Sequence, residues 1–256
     1  MIMRSSGVRR GMWRAASAAL MAVGLGAAPA AAQFGGWGAT WVGVAETSGD
    51  ETTLLLGSGS FSPEGLGLRP TVGLQALYLI GEDNSYWSVT PSVGAVLRGT
   101  EGSLAARVGY AFHEDTDVEI LGAPDAGDDA TWSTSVQGDY WNGGAYGLQG
   151  IASYNWGSEY LWSRARATVR VLELDMNGSI HVGPEFVYQG EMGDETIEDP
   201  HYQSMQAGGI VIWNSGNMLS AGFGGGWKQN NAGIDALGDE TEDESTWYVK
   251  LEFVLR

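Results

Sequence analysis

The sequence predicts an all-β protein, a single antiparallel up-and-down transmembrane β-barrel of about twelve strands. Three observations lead there. Runs of about ten residues alternate apolar with small or polar residues, the period of a strand with two unlike faces. Tight turns alternate with long connections along the chain, and the charge follows the same division.

The first 32 residues stand apart. No acidic residue precedes Glu46, while Arg4, Arg9, Arg10 and Arg14 lead into a small-residue apolar stretch from Ala15 to Ala32. The run ends in Ala30-Ala31-Ala32 before Gln33, a small-x-small cleavage pattern that predicts a signal peptide over 1–32. Gly24, Gly26 and Pro29 weigh against a transmembrane anchor. Cleavage near Ala32 would leave 31 acids against nine bases and a barrel domain over 33–256.

Strands are then expected to begin near Trp37, Thr52, Leu66, Tyr86, Ser103, Thr131, Ala145, Glu159, Gly178, His201, Asn217 and Thr246. The short connections carry turn chemistry: Ser62-Pro63-Glu64-Gly65, Gly99-Thr100-Glu101-Gly102, Asn142-Gly143-Gly144, Asn177-Gly178 and Asn214-Ser215-Gly216. Glycine and Asn-Gly pairs supply the positive φ of tight hairpins. Three long connections, around 113–130, 190–200 and 229–245, all fall at the alternate position and so project from one end. Bacterial outer-membrane barrels have this asymmetry, with an even strand number and both termini in the periplasm.

Acid follows the long connections. Of the 31 Asp and Glu, 24 lie in or beside the outer loops, which gives a solvated, self-repelling rim. Such a rim would bridge to lipopolysaccharide phosphates through divalent cations or repel anionic polymers. Asp115-x-Asp117-x-Glu119 offers oxygen ligands but lacks the glycine and spacing of an EF-hand, so no metal site is assigned. A formal charge of −18 excludes nucleic acid as a partner, and the absence of Cys excludes a disulfide scaffold and thiol chemistry.

Hairpin registers assign the faces. A two-residue turn at Asn177-Gly178 would set Arg170 opposite Glu185 and Arg166 opposite Gln189. A three-residue turn at 142–144 would pair Tyr140 with Tyr146 and Trp132 with Tyr154, and the Thr100-Glu101 hairpin pairs Leu97 with Leu104 and Val93 with Val108. Turning Arg164, Arg166 and Arg170 to lipid would cost about 2–4 kcal/mol each at the midplane. The charged face therefore lines the lumen. By parity Arg69, Arg107, Lys228 and Lys250 join it, with Glu185, Glu252, His181 and Gln75. Trp162 also falls on this side, where an arginine could stack on it. Trp87, Trp132, Trp156, Tyr160, Trp227 and Trp247 lie near outer connections, and Tyr140, Tyr146 and Trp213 near inner turns, as in two interfacial belts.

Chemistry is scarce. The three histidines are His113, His181 and His201. His201 and Ser204, three apart on a strand, point to opposite faces, and an Asp199–His201 dyad would sit at the rim. His181 has no evident serine partner. The Gly222–Gly226 run precedes no helix and reads as room for bulky neighbours rather than as a phosphate loop. The expectation is a noncatalytic barrel without cofactors, whose lumen arginines meet anions or sugar hydroxyls or else close the bore with Arg–Glu pairs. A generic small-anion porin, a rim hydrolase and a soluble carbohydrate-binding β-sandwich are the alternatives.

Several segments carry a family resemblance: Gly65-Leu-Gly-Leu-Arg-Pro70, Pro91-Ser-Val-Gly94, Arg107-Val-Gly-Tyr110, Gly147-Leu-Gln-Gly150 and Gly183-Pro-Glu185 with Tyr202 following. In these the chain resembles the bacterial cellulose-biosynthesis family called BcsS. The resemblance implies an outer-membrane barrel that serves cellulose or exopolysaccharide secretion, with cellulose or another glycan and the cellulose-synthesis machinery as partners beside outer-membrane lipid and lipopolysaccharide. It implies no catalytic residues. The C-terminal Phe253-Val-Leu-Arg256 departs from the terminal aromatic that barrel-assembly signals usually carry.

Overall fold

A computed structural model describes residues 37–50, 52–80, 85–115, 130–142, 144–174, 178–192, 202–215, 219–232 and 244–255. They form twelve strands: β1 (Trp37–Ser48), β2 (Thr53–Pro63), β3 (Gly67–Ile80), β4 (Ser85–Arg98), β5 (Gly102–Asp115), β6 (Ala130–Asn142), β7 (Tyr146–Asn155), β8 (Tyr160–Leu174), β9 (Gly178–Glu191), β10 (Tyr202–Ser215), β11 (Leu219–Ala232) and β12 (Glu244–Leu255). Each pairs antiparallel with its sequence neighbours. β1 closes on β12, with Trp41 opposite Leu255 and Ser48 opposite Tyr248. Closure pairs the first strand with the last from Trp41 to Ser48, so the sheet has no free edge strand, as a hydrocarbon surround demands.

The exterior is apolar. Leu68 is 70 % exposed and Val93 63 %, in company with Leu104, Val136, Leu148, Phe186, Phe223 and Leu251. On a water-soluble protein so continuous a patch would be an aggregation hazard; against lipid it is the ordinary outer face of a barrel. Exposed Trp87, Trp132, Trp156, Trp227 and Trp247 mark the outer edge, and Trp37, Tyr140, Tyr146 and Trp213 the inner edge. Tyr160 departs from the expected belt: it shares the face of Arg164 and Arg166, toward the lumen.

Registers test the face assignment directly. The Thr100-Glu101 hairpin pairs Leu97 with Leu104 and Val93 with Val108, as expected, and Arg107 faces inward opposite Gly94. Two other registers need correction. β8 and β9 place Arg166, not Arg170, opposite Glu185; Arg170 lies opposite His181 and Trp162 opposite Gln189. The ladder takes in Gly178, paired to Leu174, and has a bulge between Arg170 and Leu172. β6 and β7 pair Tyr140 with Leu148 and Asn142 with Tyr146, two residues from expectation, and Tyr154 meets Thr134. Both slips are even numbers of residues. Because side chains alternate with period two, no residue expected in the lumen changes face.

Residues 1–32, expected to be a signal peptide, the Asp117 and Glu119 acids beyond β5, Asp199 and His201 lie outside the described residues, as does the side chain of His113. β5 and β11 run to Asp115 and Ala232, further than the expected loops allowed.

Candidate functional site

The lumen divides into two unlike sectors. The first is built by β8 to β12 together with β1. Arg164 and Arg166 of β8 both reach Glu252 of β12, at 2.8 Å and 2.7 Å, spanning the interior between strands that are not paired. Arg166 also lies 3.8 Å from Glu185 of β9, and Lys250 of β12 forms an ion pair with the same carboxylate. Gln149 of β7 accepts from Arg166 Nε. Glu185, Glu252 and Lys250 are each 3 % exposed. Glycine makes this density possible: a Cβ on Gly224 would lie 3.0 Å from Lys250 Cε, and one on Gly208 would lie 2.6 Å from Tyr248 Oη. Gly224, within the Gly222–Gly226 run, thus does provide room for a bulky neighbour.

Above this cluster the β1–β2 turn folds over the rim. Asp50 pairs with Lys228 at 2.7 Å and accepts from Asn230 at 2.8 Å, and Ser48 donates to it. Burial alone would raise the Asp50 carboxyl. The Lys228 ammonium and the hydrogen bonds from Lys228, Ser48 and Asn230 outweigh it and hold the group well below the usual range. Gln206 likewise donates to Glu46 at 2.6 Å. Toward the short-turn end, Trp141 of β6 meets His181 of β9 edge to face, with ring centroids 5.3 Å apart. Arg170 is about one-third exposed there, 3.8 Å from Glu173, and makes no pair with Glu185.

The second sector, β2 to β7, carries a serine-rich stretch that includes Ser58, Ser92, Ser133, Ser135 and Ser153. Among the described residues, its inward positions below the rim carry one carboxylate, Asp139, which accepts from Ser103 at 2.6 Å. Arg98 donates to Ser62 and to the Pro63 carbonyl. Arg69 and Arg107 differ: among the described residues neither has an ion-pair or hydrogen-bond partner, and the Nε of each is buried. The Arg107 side chain lies along the wall over glycines. A Cβ on Gly73 would come 3.5 Å from its Cδ, and one on Gly94 would come 2.7 Å from its Cα. Beside it is a narrow cavity of about 20 Å³ lined by Ser58, Gln75, Ser92, Ser133, Ser135 and Ser153.

The structure places the expected inward residues on one face of the sheet but does not bring them all together. Arg164, Arg166, Glu185 and Lys250 come together in one cluster, Lys228 belongs to the rim, and Arg69, Arg107 and Arg170 stand apart from both. Trp162 has no arginine stacked on it among the described residues. One pairing escaped the sequence reading outright. Ser179 Oγ lies 3.0 Å from His181 Nε2, and the two are two residues apart on one strand face, so period two could have found them. A hydrolase dyad needs an acid to orient its imidazole. Here Nδ1 is buried without a partner, and the cross-strand neighbour is the guanidinium-bearing Arg170.

No family model matches the sequence, and no curated protein matches it. Among solved structures the chain is similar to the β domain of the Bordetella autotransporter BrkA, with a TM-score of 0.44 and 10% identity over 86% of this chain and 97% of that one. It is also similar to the COG4313 outer membrane channel from Pseudomonas putida F1, at 0.45 and 12% over 85% and 94%. A Pseudomonas aeruginosa FadL homologue gives 0.40 and 12% over 86% and 74%. All three fall below 0.5, and the fold rests on the chain's own strand pairing.

Proposed function

We propose that this chain is a noncatalytic outer-membrane barrel that serves bacterial cellulose or exopolysaccharide secretion as an accessory component, with an arginine-bearing lumen. The observation that carries the reading is where the family-like segments fall. Each supplies one polar residue to the interior: Arg69, Ser92, Arg107, Gln149 and Glu185. On this reading the segments that resemble the cellulose-biosynthesis family build the lumen and not the surface loops. The filled β8–β12 sector argues against a wide bore for a polymer and favours a role in organising the envelope around a separate exporter.

Deleting the gene in its own host tests this. Cellulose at the cell surface should fall and return with the wild-type gene. Unchanged cellulose in the deletion strain would overturn the accessory role.

A second reading, a small-anion porin, is favoured by one observation, the two arginines without a carboxylate. Planar-bilayer recordings distinguish it: anion-selective steps support it, and no current above background leaves a closed barrel.

A further inference from the structure

The unpaired Arg107 calls for its own explanation. The other mid-lumen cations among the described residues, Arg164, Arg166 and Lys250, each meet a carboxylate. Arg107 is half-buried, with its Nε buried and unpartnered, and withdrawing part of a guanidinium from water without a counter-charge is costly. An Asp or Glu on any neighbouring strand would have met that cost. The chain places serines there instead. Hydroxyls and an amide NH₂ can all turn a proton toward an anion, and Ser92 and Ser135 stand on the two strands that flank Arg107. The cavity of about 20 Å³ exceeds the roughly 10–15 Å³ one water needs and leaves no space for a sugar ring.

We infer that Arg107 and its serine girdle form a binding site for a single monoatomic, monovalent anion of halide size. The guanidinium supplies charge and the hydroxyls complete the coordination, so the ligand replaces the carboxylate that no described neighbour of Arg107 supplies. The inference rests on the membrane-barrel reading and not on the cellulose role. Arg69, beside the Gly65 turn, lies at the periplasmic end of the same sector and would draw anions toward it.

Chloride is the probe. Protein extracted in detergent from its own membrane should broaden the ³⁵Cl resonance saturably. Bromide should reverse the broadening and gluconate should not. In Arg107→Gln the apparent chloride affinity should fall about tenfold or more, the loss expected for a charge-assisted donor. Heat-modifiable gel migration checks that each sample is folded. If folded wild type broadens chloride no more than Arg107→Gln does, the arginine is merely hydrated and the site is refuted. Should the variant fail to fold, wild type alone decides: bromide and gluconate acting alike would refute the site. A chain that stays soluble without detergent would overturn the barrel and the site together.

Discussion

The two sectors of this lumen solve one problem in opposite ways. Both turn cations inward from a closed sheet. From β8 to β12 the cations reach across the bore to Glu185 and Glu252 and bind non-neighbouring strands to each other. From β2 to β7 Arg107 has serines and glycines around it and no carboxylate among its described neighbours. Charges that are paired within the protein serve its shape. A charge left unpaired is available to something else. Lumen electrostatics therefore cannot be read as one total, because the same residue type performs different work on opposite walls.

The largest effect expected from breaking this contrast is at Glu252. Its carboxylate serves both Arg164 and Arg166. Glu252→Ala leaves Arg164 without its carboxylate and Arg166 with Gln149 and the longer contact to Glu185, and removing one member of a buried pair costs about 3–5 kcal/mol. Denaturant titration of the detergent-solubilised barrel, followed by heat-modifiable migration, measures it. A cost within error of zero would mean that water already shields the arginines and the two sectors do not differ.

Much of this was legible in the sequence, for reasons that also mark where legibility stops. All twelve strands begin within two residues of the expected positions, from Trp37 to Thr246, because turn residues and alternation are local signals. Facing survived two wrong registers because parity ignores even slips. Register itself failed at Asn177-Gly178, where the dipeptide reads as the whole turn although Gly178 belongs to the ladder. The Arg166–Glu252 pair spans 86 residues and forms between strands that are not neighbours. No hairpin rule reaches across a lumen, so it could not be seen beforehand. The isolation of Arg107 was hidden for the same reason, since a residue is unpaired only relative to everything opposite it.

A smaller effect belongs to the rim, where the β1–β2 turn fastens the filled sector. Asp50→Asn keeps the shape and removes the charge that meets Lys228, a loss of about 1.5–3 kcal/mol for charge-assisted hydrogen bonds. The pH dependence has a definite sign. The folded carboxyl titrates below its unfolded value, so its stabilisation is fully present above about pH 4 and fades as pH falls further. The gap between wild type and Asp50→Asn should accordingly be widest at neutral pH and shrink in acid. A gap of the same size at about pH 7 and about pH 2 would place the carboxylate outside the latch.

The smallest effect on stability is expected at Arg107, and its smallness is the test. Arg107→Met deletes a half-buried cation and no ion pair. A partly desolvated guanidinium with no counter-charge returns no Coulomb energy for its desolvation, so an apolar side chain of similar volume should be tolerated without loss. In gluconate the variant should therefore match or exceed wild type, the reverse of Glu252→Ala. In chloride the order should narrow or invert, because a ligand that binds only the folded state adds stability as its concentration passes the dissociation constant. Parallel unfolding curves in the two salts at equal ionic strength measure both halves. If Arg107→Met is strongly destabilised in gluconate, Arg107 is a structural residue like Arg166, and the hydroxyl-walled sector holds its cation for the fold alone.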